Sequence, residues 1–102
     1  NLACNTSEYL GLSGIIKREH IVANSDYVGK GYGMPTKEMN DALIMLARLE
    51  GMLFDPVYTG KALAGMISLI SDNYFNNDEN ILFIHTGGTA GLFAYQDQLN
   101  IG

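Results

Sequence analysis

The string DPVYTGKALAG, Asp55 to Gly65, puts a tyrosine and a threonine where a largely apolar helix begins. With Asp55 as N-cap and Pro56 as first helical residue, Tyr58 and Thr59 fall at the third and fourth helical positions. There the amides lack intrahelical acceptors and the helix dipole is positive. Polar atoms of a ligand are stabilised at such a place. Read by itself, Tyr58 has a plainer account, a ring packed sideways with its hydroxyl in water. A second group stands at Thr86, Gly87 and Gly88, directly after the apolar run ILFIH. A hydroxyl at the carboxyl edge of a strand, followed by two glycines, leaves room for a flat molecule to approach the backbone. The alternative is a turn threonine bonding its own loop amides. Tyr32, flanked by Gly31 and Gly33, can swing toward a pocket or plug a hydrophobic edge.

Other chemistries find less support. TGGTAG matches neither the dinucleotide fingerprint nor a P-loop with its Lys-Ser/Thr, so a nucleotide site is rejected. His20 and His85 lie far apart in the chain without acidic or cysteine partners at ligand spacing, which disfavours a metal site. The single cysteine, Cys4, forms no internal disulfide and reads as a packed thiol. Lys61, one turn into its helix, reads as a snorkelling or paired lysine ahead of a Schiff-base lysine. Net charge is −5 with six scattered basic residues, so no basic stripe tracks phosphates and nucleic acid is not expected as a partner. A membrane is not expected either, since the longest apolar runs are too short to span a bilayer and the start lacks a charged region before an apolar block. The expectation is a soluble, cytoplasmic protein.

The elements that must position these residues are legible to different degrees. Residues 1–19 carry apolar residues at loosely helical spacing, interrupted by Gly11 and Gly14, and predict a helix. HIVAN predicts a short strand and GKGYGMP a loop. From Thr36 the pattern sharpens: a threonine cap, Glu38 in the first turn, then Met39, Ala42, Leu43, Leu46 and Leu49 on one face, ended by Gly51. A second helix runs from Asp55 to about Ile70, apolar on nearly every side and therefore buried, with Gly60 and Gly65 permitting close backbone approach. Ile81 to His85 predicts a strand of a parallel sheet, and LFAYQDQL a helix start. Strand, glycine turn and helix together predict an α/β fold with ligands at the strand's carboxyl end.

The 102 residues have one domain's length, and no repeat or linker divides them. At 47% hydrophobic and 17% charged they hold ample core material, and more apolar surface than so small a domain needs for itself. Part of that surface is expected to be covered by further chain.

Taken together, GKGYGMP, IMLARLEGMLFDPVYTGKALAGMI and ILFIHTGGTAGLFAY resemble the last third of the D-cysteine desulfhydrase and 1-aminocyclopropane-1-carboxylate deaminase family, from about Asp26 to Tyr95. The resemblance is faint before Asp26. It implies the tryptophan-synthase-β-like fold (fold type II), an α/β architecture, in a chain more than three times this length. It further implies that residues 1–102 are a C-terminal fragment, the last third of the large cofactor domain. The cofactor implied is pyridoxal 5'-phosphate, whose Schiff-base lysine and phosphate cradle belong upstream and are not in this chain. The assembly implied is a homodimer acting on a small amino acid.

Carried over by motif, Tyr32 faces the substrate, Tyr58 stands beside the cofactor ring, and Thr59 and Thr86, with Gly87, lie near the pyridine nitrogen. Deaminases of this family have PVYEG and HLGG where this chain has PVYTG and HTGG, the desulfhydrase forms. A carboxylate at the ring nitrogen favours pyridinium and a deep electron sink; a neutral hydroxyl gives a weaker one, which suffices for expelling a β-thiol. The activity so implied is α,β-elimination from D-cysteine. Aminocyclopropane carboxylate deamination, L-cysteate sulfo-lyase activity with sulfite as leaving group, and a chain that is non-catalytic as it stands remain open. So does a small, unrelated α/β protein that binds an anion at the Thr86 turn.

Overall fold

Helix α2, Lys37–Glu50, begins where the Thr36 hydroxyl oxygen accepts the Met39 amide at 3.2 Å, and ends where Gly51 turns left-handed at φ 66°. Both ends are those read from the sequence. The computed structural model describes residues 1–99 and adds α1, Leu2–Tyr9, and α3, Thr59–Ser71. Short 3-10 segments occur at Arg18–His20 and Thr89–Gln98. Among the described residues no helix is long and apolar enough to cross a membrane.

The molecule is organised on the α2–α3 pair. Met39, Ala42 and Leu43 of α2 meet Leu63 and Ala64 of α3, with Phe54 and Leu99 completing the buried apolar cluster. Gly60 makes the approach close: a Cβ there would lie 3.1 Å from Met39 Cγ and 2.6 Å from the Asp55 carbonyl oxygen. Helix α3 ends through Asn73 in the left-handed region at φ 55°, a conformation asparagine tolerates better than most residues.

Several expectations need correction. Helix α3 starts at Thr59, with Tyr58 as N-cap, and not at Pro56. The Asp55 carboxylate gathers the amides of Val57, Tyr58 and Thr59 into a turn, and the Gly60 amide reaches five residues back to the Asp55 carbonyl at 2.8 Å. Burial of α3 is confined to its first half: Thr59 to Lys61 and Leu63 to Gly65 are buried, residues 66–69 are half-buried and Ile70 is exposed.

The first helix stops at Tyr9, because Gly11 and Gly14 take left-handed φ of 74° and 77°. The chain then folds back, with the Ser7 hydroxyl donating to the Leu12 carbonyl at 2.5 Å and the Cys4 thiol to the Ile16 carbonyl at 3.4 Å.

The largest correction concerns strands, since none forms among the described residues. HIVAN is the end of a 3-10 turn followed by irregular chain, and Ile81–His85 runs without a ladder. A strand requires neighbours for its amides and carbonyls, and no other segment here supplies them. Leu82 and Ile84 stand 84% and 72% exposed as a result. Of the α/β expectation, the strands are missing among the described residues, which form helices and irregular chain. Residues 92–98 of LFAYQDQL lie in the 3-10 segment rather than an α-helix, and Leu99 is its C-cap.

Candidate functional site

The site is built at the start of α3. Asp55 is 2% exposed, and its Oδ2 accepts the amides of Val57 and Tyr58 at 2.8 and 2.7 Å. Its Oδ1 accepts both the amide and the hydroxyl of Thr59, at 2.8 and 2.5 Å. Burial pushes this carboxyl up, but the hydrogen bonds from the Thr59 hydroxyl and from the amides of Thr59, Tyr58 and Val57 together hold it below the usual carboxylate value. It is ionised at neutral pH and can only accept. The direction of the Thr59 bond follows: the Thr59 proton is committed to Asp55, while the Thr59 oxygen also accepts the Asp55 amide at 3.1 Å.

Tyr58 projects from the same turn, and its hydroxyl meets that of Tyr32 at 2.6 Å, with the rings edge to face at 5.8 Å between centroids. Two phenols sharing one O–H···O bond leave one proton unshared, so the pair retains a donor for a third acceptor. The hydrogen bond with Tyr32, then desolvation and the neighbouring Asp55 charge, push the Tyr58 phenol above its ordinary value. At neutral pH Tyr58 therefore keeps its proton, and either hydroxyl of the pair can donate in their shared bond.

These residues open on a cleft of about 730 Å³ that Tyr32, Tyr58, Thr59 and Thr86 all line. Its other walls are largely apolar, among them Val28, Met66 and Leu69. Thr86 is exposed, and its hydroxyl has no hydrogen-bond partner among the described residues. His85 shapes the turn beside it: Nδ1 accepts the Gly87 amide at 3.0 Å while the ring packs edge-on against Phe54 at 4.3 Å. Gly87 is not part of the cleft wall; it has φ 100°, and a Cβ there would meet nothing within 4 Å. Gly88 packs on Asp55, where a Cβ would lie 3.0 Å from the carboxyl carbon, so the turn that carries Thr86 rests on the residue that caps α3.

The four side chains named from the sequence thus share one cavity. Two residues gain roles that the sequence did not reveal. Asp55 orients Thr59 as well as capping, and an Asp-x-x-x-Thr spacing at a helix start was the available signal. Lys61 is 7% exposed, and its ammonium donates to the carbonyls of Val28 at 2.5 Å and Gly31 at 3.1 Å, tying α3 to the loop that bears Tyr32. Among the described residues no cluster of three His, Cys, Asp or Glu side chains is placed to hold a metal ion.

The family model described as pyridoxal-phosphate dependent enzyme matches residues 5–87. The chain belongs to this family. The match reaches upstream of Asp26 to take in most of α1, and it closes on Gly87, so every residue assigned to the cleft falls inside it. A pyridoxal-phosphate dependent enzyme must hold a flat pyridine ring with a hydrogen-bonding group at its nitrogen edge. The unengaged Thr86 hydroxyl, the open space over Gly87 and the apolar cleft walls fit that edge of the ring.

Proposed function

We propose that this chain forms the C-terminal part of a pyridoxal-phosphate-dependent carbon–sulfur lyase that converts D-cysteine to pyruvate, ammonia and sulfide, water being consumed. The observation that carries this reading is the disposition of the two threonines. Thr59 has its proton held by Asp55 and its oxygen already accepts the Asp55 amide, whereas the Thr86 hydroxyl has no partner among the described residues. No carboxylate among the described residues lines the cleft.

Bound pyridoxal phosphate supplies an electron sink for the amino acid's α-carbon. Thr86 would donate to the ring nitrogen and leave it uncharged, a weaker sink than a carboxylate partner produces, and one adequate for losing a β-thiol. The Tyr58 and Tyr32 hydroxyls share one hydrogen bond beside the cleft, and Tyr58, held protonated by it, would help to hold a polar group of the substrate. The cleft walls are largely apolar and would favour a drier surrounding for the α-carbon once the site is closed by further chain.

The test is substrate choice by the longer enzyme. Sulfide from D-cysteine, with little turnover of aminocyclopropane carboxylate, is the expected result. Deamination of the cyclopropane without sulfide release reverses the assignment, and sulfite from L-cysteate moves the leaving group. Thr86→Val, which removes the free hydroxyl and keeps its shape, is expected to lower kcat about tenfold, the equivalent of one lost hydrogen bond of ~1.4 kcal/mol.

A further inference from the structure

Lys61 is a buried ammonium that the proposed chemistry does not use. It forms no ion pair among the described residues, and its hydrogen-bond acceptors are two neutral carbonyls, those of Val28 and Gly31. Burying an ammonium against carbonyls alone is costly unless the geometry serves a purpose. The two carbonyls bracket the turn 28–31, and the next residue is Tyr32. Tyr58 is the N-cap of α3 and Lys61 lies in its first turn, so both side chains leave the start of this helix.

The same two elements are therefore joined twice, by the ammonium and by the phenol pair. The phenol contact lies between two exposed rings and is weak as an anchor. The ammonium contact is part-buried and charge-assisted, hence the stronger.

We propose that Lys61 is a positioning residue: its ammonium latches the carbonyls of Val28 and Gly31 to α3 and thereby sets Tyr32 against Tyr58 at the mouth of the cleft. The surrounding glycines support a loop that is shaped for this hold and has little rigidity of its own. Gly29 takes φ 73°, with a Cβ excluded by the Thr36 methyl at 2.5 Å, and Gly33 takes φ 68°. Such a loop has several conformations available once released, and the latch selects one. The functional part of this inference rests on the reading of Tyr32 and Tyr58 as site residues.

The experiment is hydrogen–deuterium exchange of the segment 25–34 in the holoenzyme, read beside steady-state kinetics with D-cysteine. Lys61→Met keeps the length and apolar stem while removing the donors. It is expected to speed exchange in 25–34 at least tenfold with α2 unchanged, and to lower kcat/KM. Lys61→Arg, which keeps charged donors, is expected to restore protection. Tyr32→Phe, which breaks only the phenol contact, should leave 25–34 protected while activity falls.

Unchanged exchange in Lys61→Met, or identical exchange in the Met and Arg variants, overturns the latch. If Lys61→Met opens the loop while Tyr32→Phe and Tyr58→Phe retain full activity, the latch stands and the site reading fails. If the loop stays closed in Lys61→Met while Tyr32→Phe is inactive, the reverse holds. Should Lys61→Met fail to fold, the unmodified holoenzyme decides: protection of 25–34 comparable to the first turn of α3 supports the latch, and exchange at unstructured-peptide rates overturns it.

Discussion

At the scale of single residues, the donor and acceptor inventory determines what this site can do. Thr59 and Thr86 are chemically identical, yet one has its proton fixed on a carboxylate and the other is unengaged. The family resemblance implies that both lie near a flat ring but does not separate them, because the partner of Thr59 is set by how Asp55 folds over the helix start. Tyr58 offers a direct check on the inventory. Its phenol is held protonated mainly by the hydrogen bond with Tyr32, so raising the pH through the ordinary phenol range near 10.0 leaves Tyr58 neutral longer than a free tyrosine. Tyr32→Phe removes that cause, and the Tyr58 transition is expected to move down toward the ordinary value. Tyrosinate absorbance, with a Tyr58→Phe protein subtracted to isolate the one ring, measures it. A Tyr58 transition that does not move in Tyr32→Phe would show that the two hydroxyls are apart in solution.

At the scale of elements, legibility tracked how local the determining interaction is. Thr36 and Gly51 bound α2 through contacts within a few residues, and the sequence announced both. Asp55 was read as the N-cap, but Tyr58 holds that position: the Asp55 carboxylate gathers three consecutive amides into a turn, and α3 begins only at Thr59. The strand expected at Ile81–His85 depends on neighbours that no local pattern can supply, and it fails for that reason. Asp55 also gives this element its pH dependence. A folded-state carboxyl held below its unfolded value, about 3.9, contributes stability that is fully present above that value and is lost as pH falls through the folded pKa. Asp55→Asn is accordingly expected to cost about 2 kcal/mol at pH 7, where the ionised acceptor is lost, and progressively less below pH ~4. Urea midpoints of the two proteins across that range measure the difference. A gap that stays constant down to pH ~2 would assign the effect to packing instead of charge.

At the scale of the whole molecule, the surface and the core are out of proportion. The buried apolar cluster is confined to the α2–α3 contact with Phe54 and Leu99, while Tyr9, Leu82 and Ile84 and their neighbours present large apolar side chains to water. The radius of gyration is 16.0 Å, against about 13 Å for a compact chain of this length. The composition foretold this excess without saying where it would lie. The structure puts it along α1, along the ladderless segment 81–85 and around the open cleft. If the proposed longer enzyme is correct, these faces meet the remainder of its cofactor domain, and Ile81–His85 acquires the neighbouring strands it lacks here. The 102-residue polypeptide prepared alone is then expected to bind a hydrophobic dye and to self-associate, whereas the longer enzyme, at equal molar concentration, does neither. Light scattering and dye fluorescence distinguish the two. A monodisperse, dye-silent 102-residue monomer would mean that the chain buries these side chains by itself, and the argument that its cleft is completed by further sequence would fall.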